Sequence, residues 1–255
     1  MNILVGDTGF VGSFLSKQID FSFSFNSKNI HEFSCVSNGC NIYLACLSAK
    51  KWLVNQNTQD DLKNMFNIID VLKNRIYENI YLISTIDVYC ESPMGVNEDY
   101  IPKFSKISYG SNRYLFELMV KQYLVFKKIK IFRLPSLFGQ GLKKNVLFDL
   151  LNKNELEKIN FNSVFQWYDL SDLKYHLNKE YNQEIVNLFT EPIETYFLCK
   201  HLFNIDVNLN QNKIEYNYKT KISEIGYIES KQSVLQKLRK FKNEYFCEQF
   251  IMDTK

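Results

Sequence analysis

Histidine is scarce in this chain: three residues, at 31, 176 and 201, with none beside another potential ligand in a recognisable pattern. That scarcity removes the usual imidazole routes to a zinc or iron centre. The six cysteines, at 35, 40, 46, 90, 199 and 247, include no C-x-x-C pair. Cys35 and Cys40 are too loosely spaced for a metal site, and no metal is expected. All six read as free thiols of a reducing cytoplasm, Cys46 as a small core residue inside an apolar run. No apolar run reaches the length of a bilayer span, and no charged-then-apolar leader precedes Ile3. The expectation is a soluble, cytoplasmic protein without a membrane partner. A formal charge of +3, with lysines spread along the chain, leaves no nucleic-acid footprint.

Glycine is also sparse, nine residues in 255, yet three of them fall in the first twelve positions, as Gly6, Gly9 and Gly12 of ILVGDTGFVGSFL. The apolar Ile3, Leu4 and Val5 run straight into them, and a helix-like stretch from Gly12 to Gln18 follows. Strand, glycine turn and helix in that order let a backbone approach a pyrophosphate and set it on a helix N-terminus. The spacing alone also fits a tight turn. Its place in a strand–helix unit points to a dinucleotide.

Residues 2–5 read as a strand, 12–19 as a helix, 21–25 (FSFSF) as an alternating strand and 41–47 (NIYLACL) as a buried one. Residues 60–73 make an amphipathic helix with Leu62, Met65, Phe66, Ile69 and Leu72 on one face. A strand at 80–84, a long helix at 109–127 and a strand at 130–134 ending at Pro135 follow. This alternation predicts an α/β fold, a Rossmann-like doubly wound parallel sheet that binds at the C-terminal ends of its strands. Beyond Gly141 the rhythm shortens. Residues 185–189 suit one more strand, 193–203 a helix, 229–250 a charged terminal helix, and the Asn- and Lys-rich 206–221 short strands or loop. The expected organisation is a dinucleotide-binding domain over 1–140, with a return segment at about 170–203, and a small C-terminal α/β substrate-binding lobe from 141–169 and 204–255.

Four blocks come in order: GDTGFVGS at 6–13, STIDVYC at 84–90, YGSNRYLFE at 109–117 and FRLPSLFGQG at 132–141. With weaker similarity through FQWYDLSDL (165–173) and NLFTEPIE (187–194), they resemble the extended short-chain dehydrogenase/reductase superfamily, in its NAD(P)-dependent nucleotide-sugar epimerase/dehydratase/reductase branch. The resemblance covers most of residues 2–200. It implies that the glycine turn, with Thr8, Phe10 and Val11, binds the cofactor pyrophosphate. It implies that Thr85, with Ser84 beside it in reserve, hydrogen-bonds the sugar hydroxyl or ketone, and that Tyr109 gives and takes the proton. It puts Arg113 where the family's Tyr-x-x-x-Lys pattern has its lysine, beneath the nicotinamide ribose. A phenol near a fixed positive charge has a lowered pKa and works near neutral pH; arginine keeps that charge on a larger, planar group. Four literal Y-x-x-x-K matches, Tyr123–Lys127, Tyr175–Lys179, Tyr196–Lys200 and Tyr227–Lys231, lie off the start of the helix after Thr85 and read as surface helix pairs.

Further residues follow from the same resemblance. Ala45, Cys46 and Leu47 close the family's fourth strand, where the backbone passes over the cofactor. Arg133 and Pro135 lead into the loop near the nicotinamide. Asn145 opens a helix, where it contacts the substrate's diphosphate or caps the helix. The second strand leads to Asn26, Ser27, Lys28 and Asn29, with no acid before Glu32. A carboxylate there would favour NAD; Ser27 and Lys28 suit the 2′-phosphate of NADP. Dehydratases of the family carry an Asp-Glu pair after the threonine, and Ile86 with Asp87 argues against that reaction. The reading is NADPH-dependent reduction of a nucleotide-linked keto-deoxysugar of the kind made for surface polysaccharide. An epimerase, and a dinucleotide binder that has lost catalysis through Arg113, stay open. The family also implies a homodimer through helices 60–73 and 109–127, although Leu115, Leu118, Met119 and Leu124 fit a sheet-facing core equally well.

Overall fold

The computed structural model describes residues 1–205 and 212–253, with side chains as far as residue 247. Its strands are β1 (Asn2–Val5), β2 (Phe23–Phe25), β3 (Cys40–Leu44), β4 (Ile76–Thr85), β5 (Val125–Leu134), β6 (Ser136–Phe138), β7 (Val164–Phe165), β8 (Trp167–Asp169), β9 (Ile185–Asn187) and β10 (Ile193–Glu194). Its helices are α1 (Phe10–Gln18), α2 (Lys51–Gln56), α3 (Thr58–Leu72), α4 (Tyr109–Tyr123), α5 (Val146–Asn152), α6 (Leu173–Asn178), α7 (Thr195–Leu198) and α8 (Lys231–Asp253). Six strands form one parallel sheet in the order β2-β1-β3-β4-β5-β9. Two small sheets, β7 with β10 and β6 with β8, lie outside it.

Alternation along the strands builds a core on each face of the large sheet. Ile3, Val5, Ile42, Leu44, Ile129 and Ile131 face one way, against Met65, Ile69 and Leu72 of α3 and Phe116, Met119 and Val120 of α4. Leu4, Tyr43, Phe132 and Leu134 face the other way, against Leu15 of α1 and Leu173 and Leu177 of α6. Helices therefore cover both faces, as the Rossmann-like reading requires. The chain leaves β1 for β2 on one side and returns to β3 on the other. That reversal opens a crevice beyond the C-terminal ends of β1 and β3.

The structure corrects several sequence boundaries. The strand expected as the fourth is the third here, because Asn26–Gly39 holds a 3-10 turn, Ile30–Cys35, in place of a strand outside β2. Phe33 and Val36 from this segment fill the core at its edge. The 41–47 strand stops at Leu44. The 109–127 helix stops at Tyr123: Leu124 has extended backbone, and Val125 already pairs with Ile76. The 193–203 helix begins as β10, continues as α7 and ends in a π turn, Cys199–Phe203. Of the four literal Y-x-x-x-K matches, only Tyr196–Lys200 lies in one continuous helical stretch. Of the 206–221 stretch, 206–211 lies outside the described residues. The rest is irregular, joined to β7 by a bridge from Glu215 to Val164. Met119 and Leu124 belong to the core, whereas Leu115 and Leu118 are exposed. Phe165, Trp167 and Tyr168 pack inside the molecule.

Candidate functional site

The glycine turn divides its three glycines by task. A Cβ on Gly6, whose φ is +102°, would run into the Ala45 carbonyl, and one on Gly12 into the Gly6 carbonyl. Both are needed for packing the turn against β3 and α1. Gly9 is different: its nearest neighbour to an added Cβ is the Gly6 oxygen at 3.5 Å, an ordinary contact. Nothing in the fold demands glycine there, so the open space belongs to whatever approaches the turn. Gly9 caps α1 with no side-chain hydrogen bond, which leaves first-turn N–H groups of α1, from Phe10 and Val11 to Gly12, aimed at that space.

The end of β2 is tied to this turn. Gly6 N–H donates to the Phe25 carbonyl (2.6 Å), and Asn26 Nδ2 donates to Asp7 Oδ1 (3.0 Å). The Asn26–Asn29 turn thus stands beside the glycines with Ser27 and Lys28 exposed. On the opposite side, Ala45 N–H donates to the Val5 carbonyl (2.9 Å), and Ala45, Cys46 and Leu47 pass over Gly6 half-buried. Burial pushes the Cys46 thiol up to about 12, so it stays protonated and inert.

Thr85 ends β4 and Tyr109 opens α4. A Ser108–Ser111 capping box starts α4, and Asn55 of α2 accepts the Tyr109 N–H (2.8 Å). Gly110 lets the helix approach: a Cβ there would meet the Asp87 carbonyl oxygen. Burial holds the Tyr109 phenol above the ordinary tyrosine value; the Arg113 charge pulls it down and Asp87 adds to the rise. The Arg113 guanidinium lies 4.4 Å from the Tyr109 ring centre. Most of its donor capacity is committed elsewhere: Nη1 and Nη2 grip Asp61 at 2.7 and 3.0 Å, and Nη2 also donates to the Ser48 carbonyl at 2.8 Å. Ser84 is engaged too, donating to Glu117 Oε1 (2.5 Å). Asn145 caps α5 through Phe148 N–H (3.0 Å) and donates to the Leu137 carbonyl (2.8 Å). Pro135 is buried between β5 and β6.

Sequence reasoning missed the partners that complete this corner. Asp61 sits on α3, 52 positions from Arg113, and no local pattern marks it. Asp87 accepts from Lys51 Nζ (2.5 Å) and from the Tyr216 hydroxyl (2.7 Å), while Thr85 Oγ1 lies 3.4 Å from its other oxygen. Lys51 Nζ also reaches the Tyr216 hydroxyl (2.7 Å). Three segments far apart in sequence therefore meet beside Thr85. A cavity of about 560 Å³ opens on another part of the C-terminal lobe, lined by Glu191, Glu194, Lys213, Glu215, Tyr227 and Lys231 among others. None of the expected site residues lines it. Among the described residues, no group of three or more His, Cys, Asp or Glu side chains could hold a metal, and no helix is long and apolar enough to cross a membrane.

No protein-family model matches the chain, and no curated protein matches it. Solved structures do. The chain is similar to UDP-glucose 4-epimerase of Thermotoga maritima, solved with UDP-glucose, at 15% identity, covering 98% of this chain and 100% of the other with a TM-score of 0.67. It is similar to dTDP-4-dehydrorhamnose reductase of Bacillus anthracis in complex with NADP, at 16% identity, 95% and 98% coverage and a TM-score of 0.68. It is similar to UDP-glucose 4-epimerase of Thermus thermophilus in complex with NAD, at 15% identity, 84% and 86% coverage and a TM-score of 0.62. The parallel sheet with flanking helices is the fold of these nucleotide-sugar enzymes across nearly the whole chain.

Proposed function

We propose that this protein is an NADPH-dependent reductase of a nucleotide-linked keto-deoxysugar, of the 4-ketoreductase type used to make sugars for surface polysaccharide. The observation that carries the proposal is convergence at one sheet edge. The open Gly9 turn, the Thr85 hydroxyl and the Tyr109 phenol all stand beyond the C-terminal ends of β1, β3 and β4. The N-terminus of α1 at Gly9 and the Ala45–Leu47 segment would hold the cofactor's pyrophosphate. The cofactor supplies hydride. Thr85 holds the carbonyl oxygen, Tyr109 delivers the proton to it, and the Arg113 charge offsets the phenolate left behind.

The absence of a carboxylate at Ser27 and Lys28 supports NADP over NAD. The exposed Leu115 and Leu118 of α4 and Phe66 of α3 support a homodimer through these helices. Calorimetric titration with NADPH and with NADH tests the cofactor, and loss of NADPH absorbance on adding dTDP- or UDP-linked 4-keto-6-deoxysugars tests the reaction. Tyr109→Phe is expected to bind NADPH normally and lose turnover by about 10²-fold or more. Undiminished turnover removes Tyr109 from the mechanism, and preference for NADH moves an epimerase to the front. A second reading, a dinucleotide binder without turnover, rests on the capture of Arg113 by Asp61 and Ser48. NADPH binding with no oxidation by any keto-sugar is its signature.

A further inference from the structure

The chain has two tryptophans, and they live in opposite surroundings. Trp167 is 1% exposed, inside the core of the C-terminal lobe; Trp52, on α2, is 51% exposed. A half-exposed indole on a six-residue helix calls for a reason. What lies against it is Lys144, whose ammonium sits 4.8 Å from the indole centre. These residues come from different parts of the chain. Trp52 follows the end of β3, and Lys144 follows β5 and β6, immediately before the cap residue Asn145. The contact therefore ties α2, which follows β3, to the loop before α5, which follows β6.

The neighbours fix where this bridge sits. Lys51, next to Trp52, holds Asp87, and Asn55, one turn along α2, holds the Tyr109 N–H. On the other side, Phe10 at the start of α1 packs against the cluster that contains Leu142 and Leu147, which flank Lys144. The local charge is one-sided. Lys50, Lys143 and Lys144 are all exposed, and none of the three forms an ion pair among the described residues. An exposed aromatic face under one cation, with two further exposed lysines nearby in the sequence, matches a ligand with a flat heterocycle and a run of phosphates.

We infer that Trp52 and Lys144 form a clamp for the nucleoside diphosphate of the sugar substrate, the base stacking on the indole and the phosphates taking the charge of Lys144 and its two lysine neighbours. The clamp rests on the nucleotide-sugar reading above and gives it a specific substrate-side contact. The cofactor's own pyrophosphate is served by α1 and Gly9. Binding replaces the ammonium-on-indole contact with base-on-indole and phosphate-on-ammonium contacts, so the site is held open by charge until an anionic nucleotide arrives.

Only one tryptophan is exposed, so intrinsic fluorescence tests the clamp directly. UDP and dTDP are titrated, with NADP⁺ present and absent, into the full-length protein and into Trp52→Phe. Quenching is expected in the first and not in the second. Calorimetry should give about tenfold weaker UDP or dTDP binding for Trp52→Ala, in line with one stacked base, and a several-fold loss for Lys144→Gln. NADP⁺ affinity should stay unchanged in both. Both positions are exposed, and unchanged melting curves would confirm intact folding. Diphosphate binding that ignores both substitutions overturns the clamp. So does a loss of NADP⁺ affinity instead, which assigns the pair to the cofactor, and so does NADP⁺ binding with no UDP or dTDP binding. If neither NADP⁺ nor the diphosphates bind, it is the nucleotide-sugar reading itself that fails.

Discussion

Two buried arginines meet carboxylates around α4, and the chemistry of the two pairs is the same while their surroundings are not. Arg133, from β5, grips Glu117 of α4 through Nε (3.0 Å) and Nη2 (2.5 Å), and its remaining donor goes to the Tyr89 hydroxyl. Glu117 also takes the Ser84 hydroxyl, and Tyr89 takes Asn187 Nδ2 (3.2 Å). Every partner in that network is protein, so it binds β4, β5, β9 and α4 into one block. Arg113 grips Asp61 just as tightly, and its other bond reaches Ser48 in the segment that leaves the crevice. Both guanidinium faces lie over a phenol, Arg133 over Tyr89 at 4.9 Å and Arg113 over Tyr109 at 4.4 Å. Only the second of these phenols is the one proposed to handle the proton.

The largest effect that would separate the two is on stability. Arg133→Met leaves Glu117 buried without its counter-charge and should cost about 3–5 kcal/mol in urea unfolding. Adding Glu117→Leu should restore much of it, because two apolar groups are tolerated where one charge is not. Arg113→Lys should cost less, about 1.5–3 kcal/mol, since a single ammonium cannot reproduce the two-point contact with Asp61. It should lower turnover as well, the opposite of a site waiting for a lysine; a large gain in activity would mark Arg113 as decay. The smallest change is a shift in pH dependence. In the proposed reduction Tyr109 donates its proton, so activity should fall as pH rises through its pKa. Asp87 raises that pKa, so Asp87→Asn should move the alkaline limb of the pH–rate profile to lower pH, with melting temperature nearly unchanged. A limb that stays put would mean the limb belongs to another group.

The parts of this molecule legible in sequence are those with a local signature. Ile3 to Val5, the glycine spacing and the amphipathic α3 carry period and turn chemistry over a few residues, and they fold as read, except that Phe66, expected on the apolar face of α3, is exposed and Ile68 is buried instead. The helix α2 went unread because six residues, KWLVNQ, are too few to show a period. The end of α4 was misplaced because Leu124 continues an apolar helical spacing, while pairing between Val125 and Ile76, 49 positions apart, decides the outcome. The site divides in the same way. Thr85, Tyr109 and Arg113 come from short blocks. Asp61 acts on Arg113 from 52 positions away, and Lys51 and Tyr216 act on Asp87 from 36 and 129 positions away; long-range ion pairs and hydrogen bonds leave no mark in any window of the chain. Ser84 shows the converse: adjacent to Thr85 and equally eligible by type, it alternates onto the opposite face of β4 and is spent on Glu117.

Gly110 has a bearing on how the site could be recognised without any substrate in hand. With the Asp87 carbonyl against its Cα, position 110 admits no side chain unless the helix backs away from the strand end. Leu118, exposed on the outside of the same helix, has no such restriction. A library of all single substitutions, selected for growth or for cofactor retention, would therefore show an empty column at 110 and a tolerant one at 118. The width of that gap would measure, in the currency of tolerated variants, how closely α4 must be held to the turn after β4.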